Sequence, residues 1–368
     1  MRRAAPAACW LALLTSLQAT PPGAAPTAPA SRCPENRSDE TIAYYTQRVA
    51  EHPGLYPAHT GLAAAWLDKA RESADPDALS RARAALKRSL ALQPSYEAMA
   101  LMASAALFAH RFDEALRWSE RAAAASPADG IDTRLLPGRV EALLALGADG
   151  DVPALFAAAG ERLAADCHVL IARAQWLRAE EKHDDAVAVL QRAAGACQGG
   201  SEAPALTAWA EVAIAGILID TGRADLARPH LEAARAVDPC RRDLRLHQAE
   251  LLEAEGNDAD ALQLYETLFE QGEDPFVRHR AYLVARRLGL QECAGRHLAG
   301  AESGYQRAID QEEIYTLEAL ARLYLDAAIH PERARALAEK NLRFKRDRGA
   351  RRILAEALAR SPDIPPAD

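Results

Sequence analysis

His247 and Glu250 stand three residues apart in "RLHQAELLEA", which puts an imidazole and a carboxylate on one side of a helix. Such a pair is half of a metal site, but zinc needs at least three protein ligands and no third one is evident. A solvated or groove-lining pair is the expectation. Asp149 and Asp151 in "GADGD" lack the ladder of oxygen ligands that a calcium loop requires, and are expected in a turn. Asp113 and Glu114 open the amphipathic stretch "RFDEALRWSERAAAASP", where a helix cap and a first-turn charge account for them. The chain carries no glycine-rich phosphate loop, no dinucleotide fingerprint, no His-Glu-x-x-His and no nucleophile elbow. The expectation is a non-enzyme with no catalytic residues, no metal and no cofactor.

Net charge is −8, so the chain as a whole repels polyanions, and no nucleic-acid partner is expected. One local exception is "RFKRDRGARR", which holds Arg343, Lys345, Arg346, Arg348, Arg351 and Arg352. A helix end followed by a turn explains those cations, because they suit a helix C-terminus. The alternative is contact with an acidic partner or an anionic lipid surface.

Residues 1–30 are of a different kind. Arg2 and Arg3 precede the apolar core "ACWLALLTSLQA", and no further charge appears until Arg32. The core is shorter than the ~20 apolar residues of a membrane span. A basic start, a short apolar core and small residues after it make a secretory signal peptide, with cleavage after Ala19, Ala25 or Ala30. The chain is then exported, to a periplasm or outside the cell; an uncleaved signal would instead tether it to a membrane. Cys9 goes with the signal, leaving Cys33, Cys167, Cys197, Cys240 and Cys293. An exported protein allows disulfides, although an odd count leaves one thiol free or shared between chains. No C-x-x-C pair suggests zinc or redox chemistry.

Ala and Leu carry the apolar content while aromatics are only 5%, which favours closely packed helices. The decisive pattern is a repeat. Ala82, Ala115, Ala186, Ala227 and Ala261 each have alanine twelve residues earlier, at Ala70, Ala103, Ala174, Ala215 and Ala249. Seven residues later come Ser89, Ala122, Ala193, Ala234 and Leu268, and twelve later come Pro94, Pro127 and Pro239, with Gln198 and Glu273 as exceptions. Small residues at these offsets mark where two antiparallel helices cross, and proline marks the end of the second helix. Asp113, Asp225 and Asp258 are placed to cap the second helices. Ala82 to Ala115 spans 33 residues, Ala227 to Ala261 spans 34, and Ala115 to Ala186 spans 71, which leaves room for one degenerate helix pair. In this frame Cys167 opens a first helix and Cys197 closes its second, so the two ends meet and a disulfide between them is possible.

These residues resemble the tetratricopeptide repeat family. Trp66 falls on its Trp position, Ala82 and its equivalents on its helix-crossing Ala, and Tyr265 on its Phe. Alanine replaces the family's first-helix Gly throughout. The resemblance is clear over residues 60 to 275 and continues to 361 through "FVRHRAYLVARRLGL", "EEIYTLEALARLYLDA", "PERARALAEKNLRFKRD" and the final "GARRILAEALARSPD". It implies an all-α fold, a right-handed α-solenoid of about 8–9 antiparallel helix pairs over residues 39–361. A linker at 31–38 precedes the solenoid and a short disordered tail at 362–368 follows it.

In that family the first helices line a concave groove. The resemblance therefore places Phe108, Gln175, Arg178, Trp209, Asp220, His247, Glu250 and Glu253 on or near the groove. The set mixes signs, which suits a protein surface or extended peptide held by several modest contacts. The function expected is an exported protein- or peptide-binding scaffold. The alternatives are an accessory subunit of a cell-envelope assembly or secretion complex, and an enzyme with its site on the solenoid.

Overall fold

The protein is seen in a computed structural model that describes residues 38–73, 76–126, 132–160, 164–197, 203–270, 274–310 and 316–361. The signal segment, Cys33, Pro127 and the tail at 362–368 lie outside them. The described residues form 18 α-helices, two short 3-10 turns and no strand. Helix α1 (Asp39–Glu51) opens the array. Eight pairs follow: α2 (Tyr56–Ser73) with α3 (Pro76–Leu92), α4 (Tyr96–Phe108) with α5 (Phe112–Ala124), α6 (Leu136–Ala145) with α7 (Val152–Ala159), and α8 (Cys167–Ala179) with α9 (His183–Ala196). Then come α10 (Ala203–Asp220) with α11 (Ala224–Val237), α12 (Arg242–Ala254) with α13 (Asp258–Glu270), α14 (Pro275–Arg287) with α15 (Gln291–Asp310), and α16 (Thr316–Ala327) with α17 (Pro331–Asn341). Helix α18 (Arg348–Arg360) closes it. The architecture is an all-α solenoid.

The alanine frame is the core of this solenoid. Ala70, Ala82, Ala186, Ala215, Ala227, Ala249 and Ala261 have no exposed surface at all, and Ala103, Ala115 and Ala174 have almost none. Outside the third pair, each first helix packs chiefly on its own second helix, and each second helix then packs on the next first helix. Buried residues accordingly form local clusters strung along the chain rather than one centre. At the +7 site where alanine gives way to Ser89, the hydroxyl reaches the Tyr56 carbonyl at 3.2 Å and the Thr60 hydroxyl at 2.8 Å, so the buried oxygen is satisfied.

A larger side chain at a crossing should force two backbones apart. Ala227→Leu is expected to lower stability by about 1–3 kcal/mol, the usual cost of overpacking. The loss should centre on α10 and α11. Leu226→Ala beside it, at an exposed site, should change little. Urea midpoints with residue-resolved hydrogen exchange check both; equal midpoints would refute the assigned register.

The degenerate pair differs from the others. Helix α6 packs on α8 far more than on its own partner α7, which has only 8 residues. Helix α15 continues the register further than the sequence reading carried it: Ala294 lies 33 residues after Ala261, with Ala301 seven beyond, and both are buried.

The caps are a correction. Arg111 and Arg223 occupy the cap positions before α5 and α11, Asp113 and Asp225 lie in the first turn, and Asp258 is itself the first residue of α13. These carboxylates face the helix dipole rather than an unpaired amide. The reason lies in the turn before them. His110, Gly147, Glu181, Gly222, Gly256, Gly289 and Ala328 all take positive φ. The next amide then reaches back five residues, as Arg111 to Ala106 at 2.8 Å, Lys182 to Leu177 at 2.9 Å and Arg223 to Leu218 at 2.8 Å. This left-handed closure ends the first helix and starts the second directly in α4, α6, α8, α10, α12, α14 and α16. Side-chain caps stand instead before first helices, at Ser95, Asp166 and Asp274, and before α18 at Asp347.

Distant parts of the array also meet. Helix α2 packs on α12. The Arg346 amide donates to the Ala145 carbonyl at 2.6 Å. Arg348 lies 3.8 Å from the carboxylates of both Glu180 and Glu181. Burial, and then the nearby Lys345 ammonium, lower the His110 pKa to about 4, with Asp347 acting in the opposite sense.

A candidate binding face on the first helices

The eight residues placed on the groove by sequence sit on four first helices, α4, α8, α10 and α12, with Phe108 at the end of α4. Phe108 is one of the exposed large apolar side chains. On α8, Arg178 reaches across to Asp220 at the end of α10, 3.2 Å between Nη2 and Oδ2, with both side chains more than half exposed. Gln175, one turn earlier, is half-buried, and its amide oxygen is shut off from solvent. Trp209 is half-buried and packs against the core of the fourth and fifth pairs. Phe108, Arg178 and Asp220 are therefore the members with free surface, while Trp209 is largely a packing residue.

The three residues on α12 behave differently. His247 Nδ1 and Glu250 Oε2 are 2.6 Å apart, so the ring and the carboxylate bond each other. The ring lies over Gly216 of α10, where a β-carbon would be only 3.1 Å from its Cε1. Alanine at this site would push the imidazole away. His247 thus fills the contact between successive first helices. Glu250 already acts on the Arg280 guanidinium, helping to hold that cation charged. A metal at His247 and Glu250 would sit in the field of this arginine.

Glu253 is a hub. Its carboxylate accepts from the Tyr265 hydroxyl at 2.6 Å, Arg280 at 2.8 Å and Arg287 at 2.8 Å. Arg287 also grips Asp258 at 2.7 Å. Burial raises the Tyr265 pKa, with Arg280 opposing and Glu253 adding to the rise. Burial works against charge on Arg280, but Tyr265 and Glu253 outweigh it and the net shift is upward. Tyr265, which is fully buried, therefore adds a polar tie to its packing. The same device recurs onward along the first helices: His279 meets Asp326 at 3.0 Å, and Arg322 meets Glu356 at 2.7 Å. Sequence reasoning missed this ladder, because its partners lie on different helices and only the register brings them together.

The chain's sulfur chemistry is structural. Cys167 and Cys197 are bonded, with their Cα atoms 5.1 Å apart, where the start of α8 meets the end of α9. Cys240 and Cys293 are also in disulfides. Glu266, Cys293 and His297 bring three ligand-type atoms within 4.8 Å of one another, but a disulfide sulfur is no thiolate, which is the form that binds metal.

Family models give no match to this chain. Among curated proteins there is no match either. Among solved structures, similar ones include a tetratricopeptide repeat protein from Parabacteroides merdae, with 14% identity, TM-score 0.43, and 72% of this chain aligned to 98% of that one. Another is the Cut9–Hcn1 hetero-tetramer of the APC/C, with 14% identity, TM-score 0.39, and 89% of this chain against 67% of that one. A third is the human IFIT1 dimer with PPP-AAAA, with 15% identity, TM-score 0.45, and 90% against 81%.

Proposed function

We propose that the chain is an exported scaffold that binds a protein segment or extended peptide along its first helices, with no catalysis of its own. The observation that carries this reading is the division of labour within the repeat. Alanines fix the helix crossings, while Phe108, Arg178 and Asp220 project from first helices and play no part in those crossings. An apolar anchor beside charges of both signs suits a segment of mixed character, read through several contacts.

Export is supported by two features. The sequence begins with a signal-like segment. The described cysteines are all bonded, and disulfides persist in oxidising compartments. Among the described residues no helix is long and apolar enough to cross a membrane.

The test is selection of peptides from a random displayed library on the folded protein. Phe108→Ala and the Arg178→Ala, Asp220→Ala double variant are expected to weaken selected peptides at least about tenfold, equivalent to ~1.4 kcal/mol, with helicity unchanged. Peptides that bind all variants equally, or a library that yields none, would count against this face. Fractionation of cells carrying the full chain tests export; recovery in the cytosol with reduced cysteines would refute it.

A further inference from the structure

The basic run at 343–352 does not end in solvent. Its base is fixed to the last pair, where Lys345 bonds Glu318 at 2.7 Å and Asp347 at 3.3 Å, and Asn341 also donates to Glu318. From there it reaches turns about two hundred residues earlier in the chain. The Arg346 amide takes the Ala145 carbonyl, the last carbonyl of α6. Arg348 stands between Glu180 and Glu181, in the turn joining α8 to α9. Gly147 makes room for the approach: a β-carbon there would lie 3.1 Å from the Arg346 carbonyl oxygen and 3.2 Å from the Arg351 guanidinium.

We infer that residues 345–351 form a strap that closes the solenoid onto the turn edge of its third and fourth pairs, and that this strap opens and closes in solution. The contacts that hold it are of the kind that yield. The two ion pairs are long, at 3.8 Å, and Arg348 is 57% exposed, so water and salt weaken both. The base, in contrast, is tied by a partly buried lysine. Both ends of the strap are therefore tied to the last pair, by Lys345 and by helix α18, which begins at Arg348, while the reach of Arg348 to the fourth pair rests on exposed, salt-sensitive ion pairs. Solenoids suit such a device, because each pair contacts mainly its neighbours and small adjustments at each joint sum to a change in span.

The strap has a consequence for binding, which rests on the proposed binding face. Arg178 and Glu180 stand at the same end of α8, so the strap is anchored at the helix end that carries part of the proposed face. If occupant and strap exclude each other, each weakens the other by the same factor. The strap would then act as an autoinhibitory contact. Its existence, however, can be tested on the free protein with no ligand at all.

The Arg346 amide is the reporter, since its hydrogen bond crosses from the strap to α6. The Ala350 amide, capped locally by Asp347, is the control. Reversing the acidic partners with Glu180→Arg and Glu181→Arg should speed hydrogen exchange at Arg346 by about tenfold and leave Ala350 unchanged. Adding Arg348→Glu should restore protection. The radius of gyration from small-angle scattering should rise in the double variant and fall back in the triple. Raising salt from about 0.05 to about 0.5 M should speed Arg346 exchange in the unaltered protein, a measurement that needs no variant to fold. Exchange at Arg346 that ignores both charge reversal and salt would overturn the strap, as would a wild-type Arg346 amide with no protection.

Discussion

Glu253→Ala is expected to be the most damaging single substitution on the first helices, costing about 3–5 kcal/mol. The carboxylate has 8% of its side-chain surface exposed and serves three donors from two helices. Removing it leaves the Arg280 guanidinium and the Tyr265 hydroxyl without their acceptor in a place from which water is largely excluded. An ion pair broken from one side costs far more than the pair contributes when intact, because the remaining charge keeps its desolvation penalty. Arg287 keeps Asp258, so its share of the loss is small. Glu253→Gln should fall between: it retains an acceptor for the phenol but surrenders the charge that offsets Arg280. Urea denaturation followed by hydrogen exchange should place the loss at α12, α13 and α14, where Glu253 and its three partners lie. A change below about 1 kcal/mol in Glu253→Ala would mean that solvent screens this network as it does an ordinary surface pair. The result also bears on function. A Glu253 variant that loses binding reports a weakened joint between the sixth and seventh pairs, not a lost ligand contact, so Phe108, Arg178 and Asp220 are the cleaner probes.

That distinction was not available from the sequence. The alanine register was legible because steric exclusion at a helix crossing acts on every copy in the same way, and leaves the same residue at the same offset. The 20-residue helix α15 escaped notice, although Ala294 and Ala301 continue the alanine frame, because Tyr282 stands where the frame has alanine twelve residues earlier. The second-helix caps were misplaced for a physical reason. A left-handed residue closes the preceding helix, so no side chain is needed, and His110, Glu181 and Ala328 adopt that conformation where Gly147, Gly222, Gly256 and Gly289 serve in other copies. The groove candidates fall on first helices, but the sequence could not separate free surface from joint. His247 fills the space over Gly216, and Glu253 is enclosed by residues 12 to 34 positions away. The strap was the least legible feature. Its cations read locally as a helix end, and their partners belong to turns half a chain away.

Removing the bond between Cys167 and Cys197 should have a second large effect, and an informative one. The two residues are separated by 30 positions, so the cross-link removes loop-closure entropy from the unfolded chain on the order of 3–4 kcal/mol. The Cys167→Ala, Cys197→Ala double variant is the appropriate test, because Cys197 is buried and serine there would add an unpaired hydroxyl. Simple reduction is a poorer test, since Cys240 and Cys293 would be reduced too. The location of the loss follows from the packing. Helix α8 is the main support of α6, whose own partner α7 offers it little. Loosening the joined ends of α8 and α9 should therefore release the third pair along with the fourth. Denaturation of the double variant should divide into two steps, with exchange rising first at residues 132–160 and 164–197 while α12 to α18 hold, as expected for an array whose pairs depend on their neighbours. A single transition shifted as a whole would show that the weak third pair does not interrupt cooperativity. Peptide mapping under non-reducing conditions that found both thiols free in exported material would remove the cross-link, and with it this account of how the degenerate pair is held.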